Sequence, residues 1–292
     1  MSVNKRRLKL ALARLSGAYH ARFSRGQQQP RVVILCYHSV HPAKDFASAS
    51  PDLFEKHLKW LRANCEIIRF RDAFAVASNA AARQRPAVAL TFDDGYADNY
   101  EYAFPLLCKI GVTATFFVVA GLLDQDPAVV ARLQSLRRSG YSDIRPLTWD
   151  QVHAMKGEGM DIGSHTYSHP NLAKLTADQA VMELRRSKEI IEDRLRRSIT
   201  ELAYPFGMLR RHVSHETQRI ARQVGYQHGA AVAFRPVTAA DTEMALPRFL
   251  VTADDVETLA AKIHGAWDFL GLWHQRAPLW LIDLVSPESG QV

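Results

Sequence analysis

Asp93 and Asp94 stand side by side at the end of the apolar run "AVALTF", within "LTFDDGYADNY" (90–100), and Gly95 follows at once. Carboxylates at the end of a run that should be entering a core suit metal ligation or acid-base work. Neighbouring strand residues point to opposite sides, so the two can do different jobs, and Gly95 lets the backbone turn sharply beside a ligand. A helix cap before "YADNYEYAF" would account for one aspartate but not for both. A second cluster, "GSHTYSHPNL", puts His165 and His169 four residues apart just after "MDI". On a helical turn that spacing sets both imidazoles on one face, as two ligands of a tetrahedral zinc site require. One carboxylate would complete three protein ligands and leave a position open for water.

Such residues need strands to deliver them to a common place. From residue 31 onward short apolar runs alternate with amphipathic stretches. "RVVILCYH", "PAVALTF", "VTATFFVVAG", "MDIGSH", "ITELAYPFG" and "YQHGAAVA" read as strands, with a late one holding "LPRF". Between them, "SPDLFEKHLKWLRANC" reads as a helix with Ser50 or Asp52 placed to cap, and "ADNYEYAFPLLCKIG" as one closing at Gly111. "TWDQVHAMKGEG", a long helix capped by Thr176, and a helix from about Arg211 to Val224 follow. Strands alternating with helices imply a mainly parallel sheet buried on both faces, and at 292 residues a (β/α) barrel is favoured over an open sheet. In that architecture function sits at the carboxyl ends of the strands, where both clusters fall. Residues 122–146 read as a partly helical insertion that shapes a substrate groove.

The formal charge of +7 is lopsided. Residues 1–31 carry eight basic side chains and no acid, so the rest of the chain is close to neutral. Within that segment Leu8, Leu12, Leu15, Tyr19 and Phe23 recur at helical spacing, which predicts a basic amphipathic leader helix over 1–30. It could lie on an anionic membrane surface, bind a partner or remain solvated. Arg14 interrupts "LKLALARL", short of the roughly 7 to 15 apolar residues of a secretory signal, and no run of about 18 apolar residues could span a bilayer. Nucleic-acid binding is not expected, because no aromatic-interleaved basic sheet pattern accompanies the charge. Cys36, Cys65 and Cys108, odd in number and far apart, read as buried thiols of a reducing compartment. Trp267, Trp273 and Trp280 crowd an aromatic-rich extension, 266–292, that could cover the barrel bottom or dock at a membrane interface.

Taken together, "TFDDG", "HTYSH" and "YPFG" resemble the successive motifs of the polysaccharide deacetylase family, the NodB-homology domain or carbohydrate esterase family 4. Supporting context, including "LCYHSV", "LTWDQV" and "LPRFLV", extends over 31–265 and is similar to the branch whose third motif is Tyr-Pro-aromatic-Gly. The resemblance implies a distorted (β/α) barrel that removes acetyl groups from N-acetylated sugars with a divalent metal, Zn2+ being the expected ion. Carried over by position, Asp94, His165 and His169 would hold the metal, and Asp93 would be the base that takes a proton from the water it activates. The oxyanion and substrate loop would be Tyr204, Pro205 and Phe206, with the Phe206 N–H as donor.

Two departures from the family pattern matter. Many members carry an arginine two residues before the proline of the third motif, where this chain has Ala203; Arg248 in "LPRF" is the candidate replacement that orients Asp93. The usual late Leu-x-His motif has no match within the barrel, "LWH" at 272–274 lying beyond it, and His38 in "CYHSV" is the candidate acid or substrate contact. His57, His153, His212 and His215 fall within helical patterns and read as packed or solvated. The expected substrate is an N-acetylated glycan or glycolipid, met in the cytoplasm or at the inner face of a membrane. Glycan O-deacetylation, or glycan binding without catalysis, are the rival readings.

Overall fold

The computed structural model describes residues 31–42, 48–79, 83–135 and 145–268. The leader helix expected over 1–30, and the aromatic-rich extension beyond residue 268, lie outside the described residues. In chain order the elements are β1 (Val32–Tyr37), α1 (Pro51–Asn64), β2 (Glu66–Ile67), α2 (Ala73–Ser78), β3 (Ala87–Phe92), α3 (Phe104–Ile110), β4 (Thr115–Val118), α4 (Ala120–Leu123) and α5 (Pro127–Ser135). They continue with α6 (Trp149–Gly157), β5 (Asp161–Ser164), α7 (Ala177–Leu195), β6 (Glu201–Met208), α8 (His215–Val224), β7 (His228–Val232), β8 (Leu246–Leu250) and α9 (Val256–Ile263).

All strand pairs are parallel, and β1 closes the sheet by pairing with both β3 and β8. The barrel therefore has seven staves, β1 and β3 to β8. Its distortion has a local cause at β3. The first residues of β3, Ala87 and Val88, pair with the short β2, and only Thr91 and Phe92 pair with β4.

Side chains alternate between two cores, as the period of two along a strand demands. Val33, Leu35, Tyr37, Val88, Leu90 and Phe92 face outward and pack under the helices. There Phe92 stacks on Phe116 with ring centroids 4.7 Å apart, and burying one such ring contributes about 1.5–3 kcal/mol. Val32, Ile34, Ala87, Ala89, Phe117, Ala203, Ala230 and Leu246 face the barrel interior. Small alanines from several staves leave room there for Phe117 and for polar side chains nearer the carboxyl ends. At the amino-terminal end Asp161 and Glu201, the first residues of β5 and β6, close the interior by pairing with Arg69, Arg71 and Lys156.

Most helices start where the sequence leads one to expect. Ser50 caps α1, and Thr148 and Thr176 form reciprocal capping boxes with Gln151 and Gln179. The helix expected from about Arg211 begins only at His215, because Ser214 caps it and residues 211–213 are spent on a turn whose N–H groups return to the Met208 carbonyl. The 122–146 insertion supplies α5 and the end of α4, and the first turn of α4 braces the histidine loop: Ala120 and Gly121 donate to the carbonyls of Thr166 and Tyr167. Cys36 and Cys65 are buried, but Cys108 is exposed, since the helical turn that buries Leu107 carries its neighbour to solvent.

Candidate metal centre and active site

Inward alternation along β3 runs Ala87, Ala89, Thr91 and then Asp93, just past the strand end. By the same rule Asp94 would leave the interior. It does not, because Asp94 (φ 75°) and Gly95 (φ 75°) are both left-handed and swing the second carboxylate back over the barrel mouth. Both aspartates are buried. Asp94 faces β5, and Asp93 faces β8.

His165 follows β5 directly, and its Nδ1–H donates to the carbonyl of Ala203 on β6 at 2.8 Å. That bond fixes the tautomer and leaves Nε2 as a lone pair, 3.5 Å from Asp94 Oδ1. His169 Nε2 lies at the same 3.5 Å from the same oxygen. The two histidines do not share a helical turn, contrary to the expectation from their spacing. Residues 165–170 are an irregular loop in which Thr166 (φ 67°) and His169 (φ 56°) are left-handed and the His169 N–H donates to Thr166 Oγ1 at 3.0 Å.

The residues present fit a divalent cation. The ligating atoms of Asp94, His165 and His169 all lie within 4.8 Å of one another, and all three residues are buried. An imidazole lone pair facing a carboxylate oxygen at 3.5 Å is repulsive unless a positive charge sits between them. Burial pushes His169 down to about 4, so it is neutral at pH 7 and able to ligate. For His165 burial pulls downward too, but the negative charges of Asp93 and Asp94 outweigh it and raise the ring: without a cation, a proton is drawn to the same place. Burial would raise Asp94, yet the two imidazoles that face it, His165 and His169, hold it well below the usual carboxylate range. Its other oxygen accepts the Tyr96 hydroxyl, and Nδ1 of His169 is buried without a hydrogen-bond partner among the described residues.

Asp93 is kept out of this group by Arg248. From β8, whose Leu246 also points inward, Arg248 donates through Nη1 to Asp93 Oδ1 at 2.8 Å and through Nη2 to Oδ2 at 2.7 Å. Nη1 also donates to Thr91 Oγ1 and Nε to the Ala231 carbonyl, so the fully buried guanidinium is held from two other staves, β3 and β7. Burial alone would raise the Asp93 carboxyl, but Arg248 overcomes it and holds it at about 2. The Cys36 thiol, the inward residue next along β1, donates to Asp93 Oδ2 at 3.4 Å. His38 is half-buried just past β1, its backbone N–H donating to Ser48 Oγ at 2.9 Å.

In the third motif the register of β6 against β7 shifts between Ala203 and Met208, where Phe206 (φ 63°) and Gly207 (φ 58°) bulge. The Phe206 ring stands 5.0 Å from that of His169 and 5.5 Å from that of His212. Tyr204 is not part of this loop's working face. Next to inward Ala203 it points outward, buried in the outer core with Tyr226, and burial pushes its hydroxyl up. Tyr96 and Cys36 carry no motif mark of the site in their local sequence, and His212, expected in a helix, lies in the turn before α8. Period-two counting along β1 would have found Cys36; Tyr96 and His212 reach the site through turns without a periodic signal.

A family model described as "Polysaccharide deacetylase" matches residues 80–229, a segment holding both aspartates, both histidines and the β6 bulge. The chain belongs to the polysaccharide deacetylase family. Among curated members, YxkH of Bacillus subtilis is 29% identical over 204 residues, which are 70% of this chain and 65% of that protein. The poly-beta-1,6-N-acetyl-D-glucosamine N-deacetylase of Staphylococcus aureus (strain MRSA252) is 22% identical over 230 residues, 76% of this chain and 72% of that one. Among solved structures, the Streptococcus pyogenes deacetylase PplD in complex with acetate aligns with a TM-score of 0.67 at 25% identity, covering 81% of this chain and 99% of that one. IcaB from Ammonifex degensii aligns with a TM-score of 0.65 at 25% identity, covering 81% and 98%. The distorted (β/α) barrel is thus shared with these two solved structures.

Proposed function

We propose that the protein is a metal-dependent deacetylase that hydrolyses the acetamide of an N-acetylhexosamine in a polysaccharide or a lipid-linked glycan, with Zn2+ as the cation. One observation carries this reading: Asp94, His165 and His169 converge on a single point while the adjacent Asp93 is held apart by Arg248. A divalent cation supplies an acidified water and a polarised carbonyl when bound. Asp93, ionised at neutral pH, takes the proton from the attacking water, and its two-armed bond to Arg248 fixes its orientation without consuming all its lone pairs. His38 is assigned the proton for the departing amine. The N–H of Phe206, in the bulge beside His169, is assigned the oxyanion. An amide rather than an ester is supported by relatives such as the N-deacetylase of Staphylococcus aureus.

Acetate release tests the assignment. Purified full-length protein loaded with Zn2+ should free acetate from N-acetylglucosamine polymers or oligomers faster than from O-acetylated glycans. The opposite order would turn the reading to O-deacetylation, and no release from either would turn it to glycan binding. The basic segment 1–30 supports action at an anionic membrane face, and deleting residues 1–25 should weaken sedimentation with anionic vesicles. Unchanged binding would dispose of that placement.

A further inference from the structure

The barrel mouth holds a second set of ligating side chains that the reaction does not employ as a set. A ring nitrogen of His38, the Cys36 sulfur and an Asp93 oxygen all lie within 4.8 Å of one another. Thiolate, imidazole and carboxylate are the three donor types of zinc sites, and a sulfur donor favours borderline and soft ions such as Zn2+ and Co2+ over Mg2+ or Ca2+. Cys36 and His38 are two apart on β1 and its continuation, and period-two alternation carries Cys36 to the same interior face as Asp93. Cys36 is fully buried and Asp93 nearly so, whereas His38 is half-buried at the mouth, which opens a route for an ion from solvent.

We propose that Cys36, His38 and Asp93 form a second, thiophilic cation site beside the Asp94, His165 and His169 centre, and that filling it arrests hydrolysis by engaging Asp93 and His38. The inhibitory half rests on the roles assigned above to those two residues; the binding half does not. Asp93 Oδ1 accepts one bond from Arg248 and keeps a further lone pair, and Oδ2 regains one when the Cys36 thiol loses its proton, so one oxygen can ligate an ion without the ion pair breaking. Binding deprotonates the thiol, whose proton passes to solvent, and sulfur becomes the third donor. The second site fills after the first. The Arg248 guanidinium touches its carboxylate, and an ion already at Asp94 repels the newcomer, whereas the first centre has no guanidinium on its carboxylate.

Cobalt reports this directly, because a thiolate ligand gives Co2+ a near-ultraviolet charge-transfer band that histidine and carboxylate ligands do not. The full-length protein is stripped with a chelator and titrated with Co2+ past two equivalents. Visible ligand-field absorption should grow over the first equivalent, and the charge-transfer band only beyond it. The band should vanish in Cys36→Ser and persist in Cys108→Ser, which changes an exposed thiol on α3. Should Cys36→Ser fail to fold by circular dichroism, His38→Ala serves instead and should weaken the second binding at least tenfold. No band at any loading, a band complete at one equivalent, or a band surviving in Cys36→Ser would overturn the site. Acetate release should rise with the first equivalent and fall as the band grows. A growing band with undiminished release would overturn the inhibitory half, while a band with no acetate released at any loading would uphold the site and sink the deacetylase reading.

Discussion

Arg248 of β8 and Asp93 at the end of β3 stand 155 residues apart in sequence and meet in a two-armed ion pair at 2.7 and 2.8 Å. The pair divides the work between two neighbouring carboxylates. Asp93 is tied to a fixed cation of the protein, and Asp94 is left to the imidazoles. Four consequences can be measured.

Removing the arginine should leave a buried carboxylate uncompensated. Arg248→Met should lower the unfolding free energy by about 3–5 kcal/mol in urea titrations, the usual cost of breaking one side of a buried pair. Arg248→Lys keeps the charge but offers one point in place of a fork, so it should recover part of that loss and little of the turnover. A loss below about 1 kcal/mol in the methionine variant would mean the pair is no more than a surface-type contact.

At one equivalent of cation, Asp93→Asn should reduce kcat by about 10²–10⁴, the usual worth of a general base, while the bound-metal content measured by elemental analysis stays at the wild-type value. A parallel loss of metal at that loading would move Asp93 into the ligand set of the first centre.

Acid should weaken the fold through Asp93. Its folded pKa of about 2 lies below the ordinary 3.8, so its stabilisation is fully present above pH 3.8 and is lost as pH falls through about 2. The amount is about 2 kcal/mol, and it should be missing from the pH dependence of unfolding in Asp93→Asn. Identical acid limbs in both proteins would contradict the ion pair's electrostatic role.

Cation binding should raise thermal stability by about 2.7 kcal/mol at a free concentration a hundred times Kd, and a chelator should reverse it. Asp94→Ala and His165→Ala should each abolish most of the gain in a thermal-shift titration. Because His165 is raised above 6.5 without the ion, protons compete for the same lone pair, so affinity should fall as pH drops below neutrality. A pH-independent affinity would place the ion elsewhere.

Much of the site is legible in the sequence because its chemistry is local. "TFDDG" and "HTYSH" each carry their ligands within a few residues, and each follows an apolar run that can only be a strand. Where a residue's direction follows the strand period, the reading extends further, as with Arg248 in "LPRF". It fails where backbone turns override the period. The letters of the third motif group Tyr204 with the substrate loop, yet alternation sends it into the outer core. Their spacing predicts a helical turn for His165 and His169, yet two left-handed residues bring them together in an irregular loop.

Donor types, the order of strands and helices, and the end of the barrel at which the donors gather can all be read from the chain alone. Hydrophobic period and motif spacing are properties of neighbouring residues and need no fold to be read. Which aspartate faces the histidines and which faces the guanidinium is set by the folded chain. That choice depends on left-handed backbone at Asp94 and Gly95 and on the closure that brings β8 and β3 to either side of β1, packing relations between distant residues that no local pattern records.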